Sequence, residues 1–357
     1  MRLFPPRPRG LKGRTAELST LTRTVESAAP ARIALVGGGG SGKSMLAAAL
    51  AHRLSPKFGG RLDWFRVGAW DFRTLVEMLA LRWGTTRERR AVVPALREVL
   101  DREERLVVLD NHEDDSATAA LLDALSGTRA TFVITARRCL LSGVLLFPVT
   151  APLVTSQAAA FPRVAALTRR LRWNPLALDV ADAIVASRDA TVPALDRYLA
   201  EHGIDEVRVI DHEDDLPEVA LLVGWAWSRL RAPSRRMLGV LAHLEGDHAD
   251  LASVGALAGV PPAGREAAMR ALARYHLVQE TWPGRFTLHA VVRYAVTKRT
   301  RGDADAAFEH YVSLLEAAPE RLVTEQTHLF AAMDHAHRSS NLAGLLRVER
   351  LLAQVAP

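Results

Sequence analysis

The stretch Ile33-Ala34-Leu35-Val36-Gly37-Gly38-Gly39-Gly40-Ser41-Gly42-Lys43-Ser44 decides the reading of this chain. A short apolar run meets four glycines, and the segment from Lys43 to Leu54 continues as an alanine- and leucine-rich helical pattern. The spacing satisfies G-x-x-x-x-G-K-[ST] in the strand, loop and helix context that a phosphate-binding loop needs. Gly37, Gly38, Gly39, Gly40 and Gly42 let backbone N–H groups turn inward as a nest around phosphate oxygens, at a helix N-terminus that already favours anions. Lys43 is placed to reach the β- and γ-phosphates and the Ser44 hydroxyl to ligate Mg²⁺. Ser41 and Met45 complete the loop and the helix start as cofactor-binding candidates. The cofactors expected are ATP or ADP with Mg²⁺.

Such a loop calls for a second strand ending in a carboxylate beside it. Leu106-Val107-Val108-Leu109-Asp110 has that form, and Asp110 becomes the second metal candidate, acting through water. Asn111 follows where many NTPases carry another acid. Glu113 is therefore the candidate to orient water, set against its reading as a solvated acid that caps the next helix. Phe132-Val133-Ile134-Thr135-Ala136-Arg137-Arg138 brings polar and cationic residues to the end of another apolar strand. In a parallel sheet that end faces the ligand crevice. Arg137 is read as facing the γ-phosphate and Arg138 as surface. The sequence His-Glu-Asp-Asp occurs at 112–115 and again at 212–215. Consecutive ligand-type residues rarely converge on one ion, so both are read as solvated loops.

Strand and helix patterns alternate over residues 30–152, which predicts a parallel α/β domain behind an arm at 1–29. Strand signals fade after Pro152, and 153–210 reads as a small helical domain. Residues 217–300 show three helical patterns and then a strand, turn and strand around Trp282–Gly284, which suggests a winged-helix domain over 211–300. Residues 301–357 are helical and could begin a repeat array.

At 357 residues the chain has room for two to three domains of about 150 residues. Its 49% hydrophobic and 24% charged residues exclude a disordered or fibrous chain. The N-terminal MRLFPPRPRG has no apolar core of a secretory signal, and no stretch approaches the ~20 apolar residues needed to span a bilayer. Cys139 is the only cysteine, which excludes an intramolecular disulfide and argues against a cysteine zinc site. A soluble, cytoplasmic protein without a membrane partner is expected. The net charge of +6 invites a nucleic-acid reading, yet Lys12, Lys43, Lys57 and Lys298 are the only lysines. A GC-rich coding bias explains so much arginine at least as well as a polyanion partner.

Taken in order, these motifs resemble the STAND class of signal-transducing P-loop ATPases with NB-ARC-type modules, in the bacterial branch where helical repeats follow the ATPase core. Leu11-Lys12-Gly13-Arg14-Thr15-Ala16-Glu17-Leu18 is similar to the family's N-terminal hydrophobic-x-Gly-Arg motif, which implies that Gly13 and Arg14 lie over the nucleotide. Thr135-Ala136-Arg137 resembles the sensor Thr-Thr-Arg. Asn174-Pro175-Leu176-Ala177-Leu178 is similar to Gly-Leu-Pro-Leu, whose proline packs on adenine, with Trp173 and Asn174 standing for Gly-Leu. Arg285 to Ala295 resembles the winged-helix segment ending in Met-His-Asp. The resemblance implies that His289 contacts the β-phosphate of ADP and latches a closed state; Ala290 replaces the aspartate. It further implies a nucleotide-gated switch with slow hydrolysis, self-association when ATP-bound, and a protein partner or effector in trans or beyond Pro357. An ATP-controlled, DNA-binding regulator is the alternative. It is not favoured, because Arg265, Arg270 and Arg274 stand beside Asp250 and Glu266 in the segment that would read bases. A metabolic kinase is disfavoured because no acceptor-substrate site is evident.

Overall fold

The computed structural model describes residues 4–5, 7–8, 11, 14–28, 30–85, 90–149, 159–204, 215–246 and 248–354. The first unit contains α1 (Thr15–Ala28), β1 (Arg32–Val36), α2 (Lys43–Leu54), β2 (Leu62–Arg66), α3 (Phe72–Trp83), α4 (Val92–Arg102), β3 (Arg105–His112), α5 (Asp115–Ala124), β4 (Ala130–Ala136) and β5 (Leu145–Pro148). The five strands pair in parallel in the order β2-β3-β4-β1-β5. The expected α/β class is therefore observed. In that order β4 lies between β3 and β1.

The apolar strand runs feed two cores because successive side chains point to opposite faces. Ile33 and Leu35 of β1 join Leu106 and Val108 of β3 against α1 and α2. Ala34, Val107 and Leu109 face the other way, against α3, α4 and α5.

A second series follows. It comprises a 3₁₀ turn (Pro162–Leu167), α6 (Pro175–Ala186), α7 (Val192–Glu201), α8 (Pro217–Arg229), α9 (Ala232–His243), β6 (Ala249–Asp250), α10 (Leu251–Leu257), α11 (Pro262–Arg274), β7 (Gln279–Trp282), β8 (Arg285–Thr287) and α12 (Ala290–Thr297). Four helices precede the hairpin over 217–300 rather than three, since α8 and α9 are separated only by the turn at Leu230–Arg231. The hairpin itself is as expected, and the two-residue β6 adds to it as a third, antiparallel strand in the order β6-β8-β7. One continuous apolar core joins α6 and α7 to α8 through α12.

The chain then forms α13 (Ala304–Ala317), α14 (Gln326–Arg338) and α15 (Leu342–Ala353). These helices do not stand apart. Phe308, Leu329 and Phe330 share the apolar core of α3 to α5. Among the described residues no helix is long and apolar enough to cross a membrane.

Candidate functional site

The strand ends, the glycine loop, α6 and the β7–β8 hairpin enclose one cavity of about 610 Å³. Gly40 and Gly42 adopt φ of 73° and 87°, the left-handed region that glycine enters without a Cβ clash. A Cβ on Gly40 would also lie 3.0 Å from Asn174 Oδ1, so the loop packs directly on the start of α6. Gly42 is the N-cap of α2, which directs that helix's positive dipole end into the cavity.

Lys43 Nζ donates to the carbonyls of Gly37 at 2.7 Å and Gly38 at 2.9 Å, which folds its ammonium back over the loop. Arg14 is almost fully buried and clamps the same loop from outside. Its Nη2 donates to the Ser41 carbonyl at 2.6 Å, while Nη1 pairs with both Glu17 oxygens at 2.9 and 2.8 Å. Beneath them the Ser41 hydroxyl is buried without a hydrogen-bond partner.

At the end of β3 the pairing with β4 shifts between Leu109 and His112, and Asn111 takes φ 59°. Asparagine tolerates that conformation better than most residues. The bulge lets Asn111 N–H donate to Thr135 Oγ1 at 2.9 Å while the Thr135 hydroxyl donates to Asp110 Oδ1 at 2.6 Å. A hydroxyl on the intervening strand thus fixes the Asp110 carboxylate.

Gly39, Gly40, Ser41, Gly42, Lys43, Ser44, Met45, Arg14, Asp110, Arg137, Pro175 and His289 all line this cavity. Gly37 and Gly38 lie under Lys43 and outside the lining. Glu113 also lies outside it and accepts from Asn111 Nδ2 at 2.7 Å. Gly13 lies outside the described residues.

The first His-Glu-Asp-Asp is not a solvated loop throughout. His112 is buried between Asp115, at 2.7 Å from Nε2, and Thr118, at 2.9 Å from Nδ1, and Asp114 caps α5. Of the second, 212–214 lie outside the described residues, and Asp215 pairs with Lys298 at 2.7 Å. Among the described residues no group of three or more His, Cys, Asp or Glu side chains could hold a metal.

Trp64, Arg66, Asp179, His248, Trp282 and Thr287 also line the cavity and were not anticipated. Arg66 was the most accessible of these to sequence reasoning. It ends strand β2 as Arg137 follows β4, and it sits opposite Asp110 in the ladder.

The hairpin wall is held from behind. Arg285, 5% exposed, forks onto Glu325, 1% exposed, with Nη1–Oε1 at 2.8 Å and Nη2–Oε2 at 2.6 Å. Its Nε donates to His248 Nδ1 at 2.7 Å, and the His248 ring packs against Trp282 at 4.2 Å between centroids. Arg321 bridges Glu325 at 2.7 Å and also bonds Asp250. Burial works against the Glu325 carboxylate, yet the hydrogen bonds and charge of Arg285, helped by His328 and Arg321, hold its pKa below the ordinary value.

The donor set suits a phosphate chain. It combines a backbone nest at a helix N-terminus, a lysine, an unsatisfied buried hydroxyl and two nearby oxygens, from Ser44 and Asp110, of the kind Mg²⁺ prefers.

No protein-family profile matches the chain. The chain is 29% identical over 312 residues to the regulatory protein AfsR of Streptomyces coelicolor, a match covering 79% of this chain and 31% of that protein. It therefore spans less than a third of that relative. Among solved structures, a signal-transduction ATPase with numerous domains (STAND) and a tetratricopeptide-repeat sensor, from Pyrococcus horikoshii, superposes with a TM-score of 0.58. The identity there is 15%, with 100% of this chain and 50% of the other covered. Motif order and superposition agree: this chain has the fold of a STAND P-loop ATPase.

Proposed function

We propose that this chain is a nucleotide-gated switch of a regulatory ATPase. One observation carries the reading: the phosphate loop, the ends of β3 and β4, Pro175 of α6 and His289 at the start of α12 line a single cavity. A ligand spanning it would touch units that are otherwise separate in sequence, so its affinity would depend on how those units are arranged. Bound Mg²⁺ would neutralise phosphate charge. Around it, Ser44 and Asp110 offer oxygens, Lys43 and Arg137 offer cations, and Arg14 holds the loop in shape through the Ser41 carbonyl. Pro175 supplies an apolar surface for a base. His289 caps α12, its Nδ1 accepting from Val291 N–H at 3.3 Å, and presents its ring from the hairpin side. Glu113, outside the cavity, would act on the water of slow hydrolysis only through Asn111, which lines the cavity and donates to the Glu113 carboxylate at 2.7 Å. The switch reading includes self-association with ATP and a protein effector in trans.

The test is to denature the purified protein and identify what it releases by ion-exchange chromatography, then to titrate ADP and ATP. Stoichiometric ADP, or micromolar binding of either nucleotide, supports the switch. No binding at millimolar nucleotide overturns it.

For the DNA-binding alternative, the arginines of α11 argue against readiness to bind. Arg265 donates to the Val260 carbonyl, Arg270 pairs with Glu266, and Arg274 pairs with Asp189.

A further inference from the structure

A second cavity, of about 430 Å³, shares no lining residue with the first. Its volume falls within the roughly 300–1,000 Å³ of small-molecule sites. It lies between the end of α8, one face of α9, the end of α10 and the loop at 300–303 that leads into α13. Trp227, Val240, Leu244 and Leu257 give it an apolar wall.

Its charge is one-sided. Arg235 donates from Nε and Nη2 to the carbonyls of Trp227 and Ser228 at 2.9 and 3.0 Å. Arg236 does the same to Ala258 and Gly259 at 2.9 and 3.4 Å. These carbonyls orient the guanidinium groups without neutralising them. Among the described residues neither pairs with a carboxylate, and nor does the exposed Arg301 at the rim. The one acid in the lining, Asp303, already accepts from Ala306 N–H at 2.9 Å as the cap of α13.

We propose that this cavity binds a small soluble amphipathic anion, with a carboxylate or phosphate head on the arginines and an apolar body against Trp227 and Leu257. Oriented guanidinium forks without a protein carboxylate suit such a head, and the aliphatic and indole surfaces suit the body. The position gives occupancy a consequence. Helix α12 starts beside His289 in the first cavity and ends beside Thr300 in the second, a rigid span of about 12 Å.

The test is calorimetric titration of the full chain carrying Lys43→Ala, which weakens the phosphate loop as a competing anion site. The probes are octyl phosphate and octanoate, with octyl glucoside as the neutral control. Saturable one-site binding of an anion is expected, weakened by salt. Arg301→Ala should reduce the affinity about tenfold. Ala307→Trp should fill the cavity and abolish binding, with thermal unfolding of both variants showing that the fold is kept. The proposal is overturned by no saturable binding of either anion, by equal binding of the glucoside, or by unchanged affinity in either variant. Binding that requires an intact Lys43 places the probe on the phosphate loop and also overturns it. The nucleotide reading is tested separately and stands or falls without this result.

Discussion

On one side of the central cavity, consecutive residues from Gly39 to Met45 form the wall largely from backbone, with two glycines in left-handed conformations and a helix terminus behind them. On the other side stand His248, the hairpin residues Trp282 and Thr287, and His289 at the start of α12, with His248 held by Arg285 and packed against Trp282. Arg285 of β8 reaches Glu325, 40 residues later in the chain, to lock that wall to the C-terminal helices. A wall made of local backbone is insensitive to distant packing. A wall made of buried ion pairs inherits the state of whatever it is paired to. The difference suits a switch in which one wall binds and the other reports.

The largest effect should come from breaking the reporting wall. Glu325→Ala leaves Arg285 buried without its partner and should cost about 3–5 kcal/mol of stability, read as a lower denaturation midpoint. Replacing both residues with apolar ones of similar volume should restore much of it. A small effect of the single substitution would show that the pair is solvated and that the two walls do not differ. Acid should act in the same direction. Glu325 and Asp250 have folded pKa values below their ordinary 4.5 and 3.8. For Asp250 burial also opposes the shift, and the Ser253 backbone and Arg321 outweigh it. Their contribution is therefore complete above those ordinary values and is lost as pH falls through the lower folded ones. Thermal unfolding measured from neutral pH to about pH 3 should show that loss, reduced in Glu325→Ala.

Breaking the binding wall comes next. Lys43→Ala should reduce nucleotide affinity at least about a hundredfold while leaving the denaturation midpoint nearly unchanged. Unchanged binding would remove the phosphate-loop assignment. His289→Ala removes the ring that the hairpin side presents and should weaken ADP about tenfold, with more spontaneous self-association by light scattering. A variant that stays monomeric with full ADP occupancy would refute its latch role.

The smallest effect tests the join to α6. Arg172 and Trp173 hold φ of 50° and 58° just before Asn174 and Pro175, and both are non-glycine residues in the left-handed region. Trp173 stands where the resembled motif has glycine, the residue that enters this region without a Cβ clash. Arg172 is exposed, and Arg172→Gly should raise stability by about 0.5–1 kcal/mol in urea unfolding. A loss instead would mean that the side chain, rather than the backbone, sets that turn.

Whatever depends on neighbours along the chain is legible in the residues alone. Gly37 to Ser44 specifies the loop because phosphate recognition there is backbone chemistry at fixed spacing. The apolar runs ending at Asp110 and Ala136 specify buried parallel strands because both faces are covered. The hairpin at 279–287 follows from its turn at Pro283–Gly284. Long-range packing inserted β4 between β3 and β1, so that Thr135 rather than the loop orients Asp110. It alone paired β6 with β8, brought Arg66 and His248 to the cavity, and joined Arg285 to Glu325. Periodicity shows which face of an element is apolar. It carries no record of which distant face will cover it, and a buried ion pair between residues far apart leaves no local pattern to read.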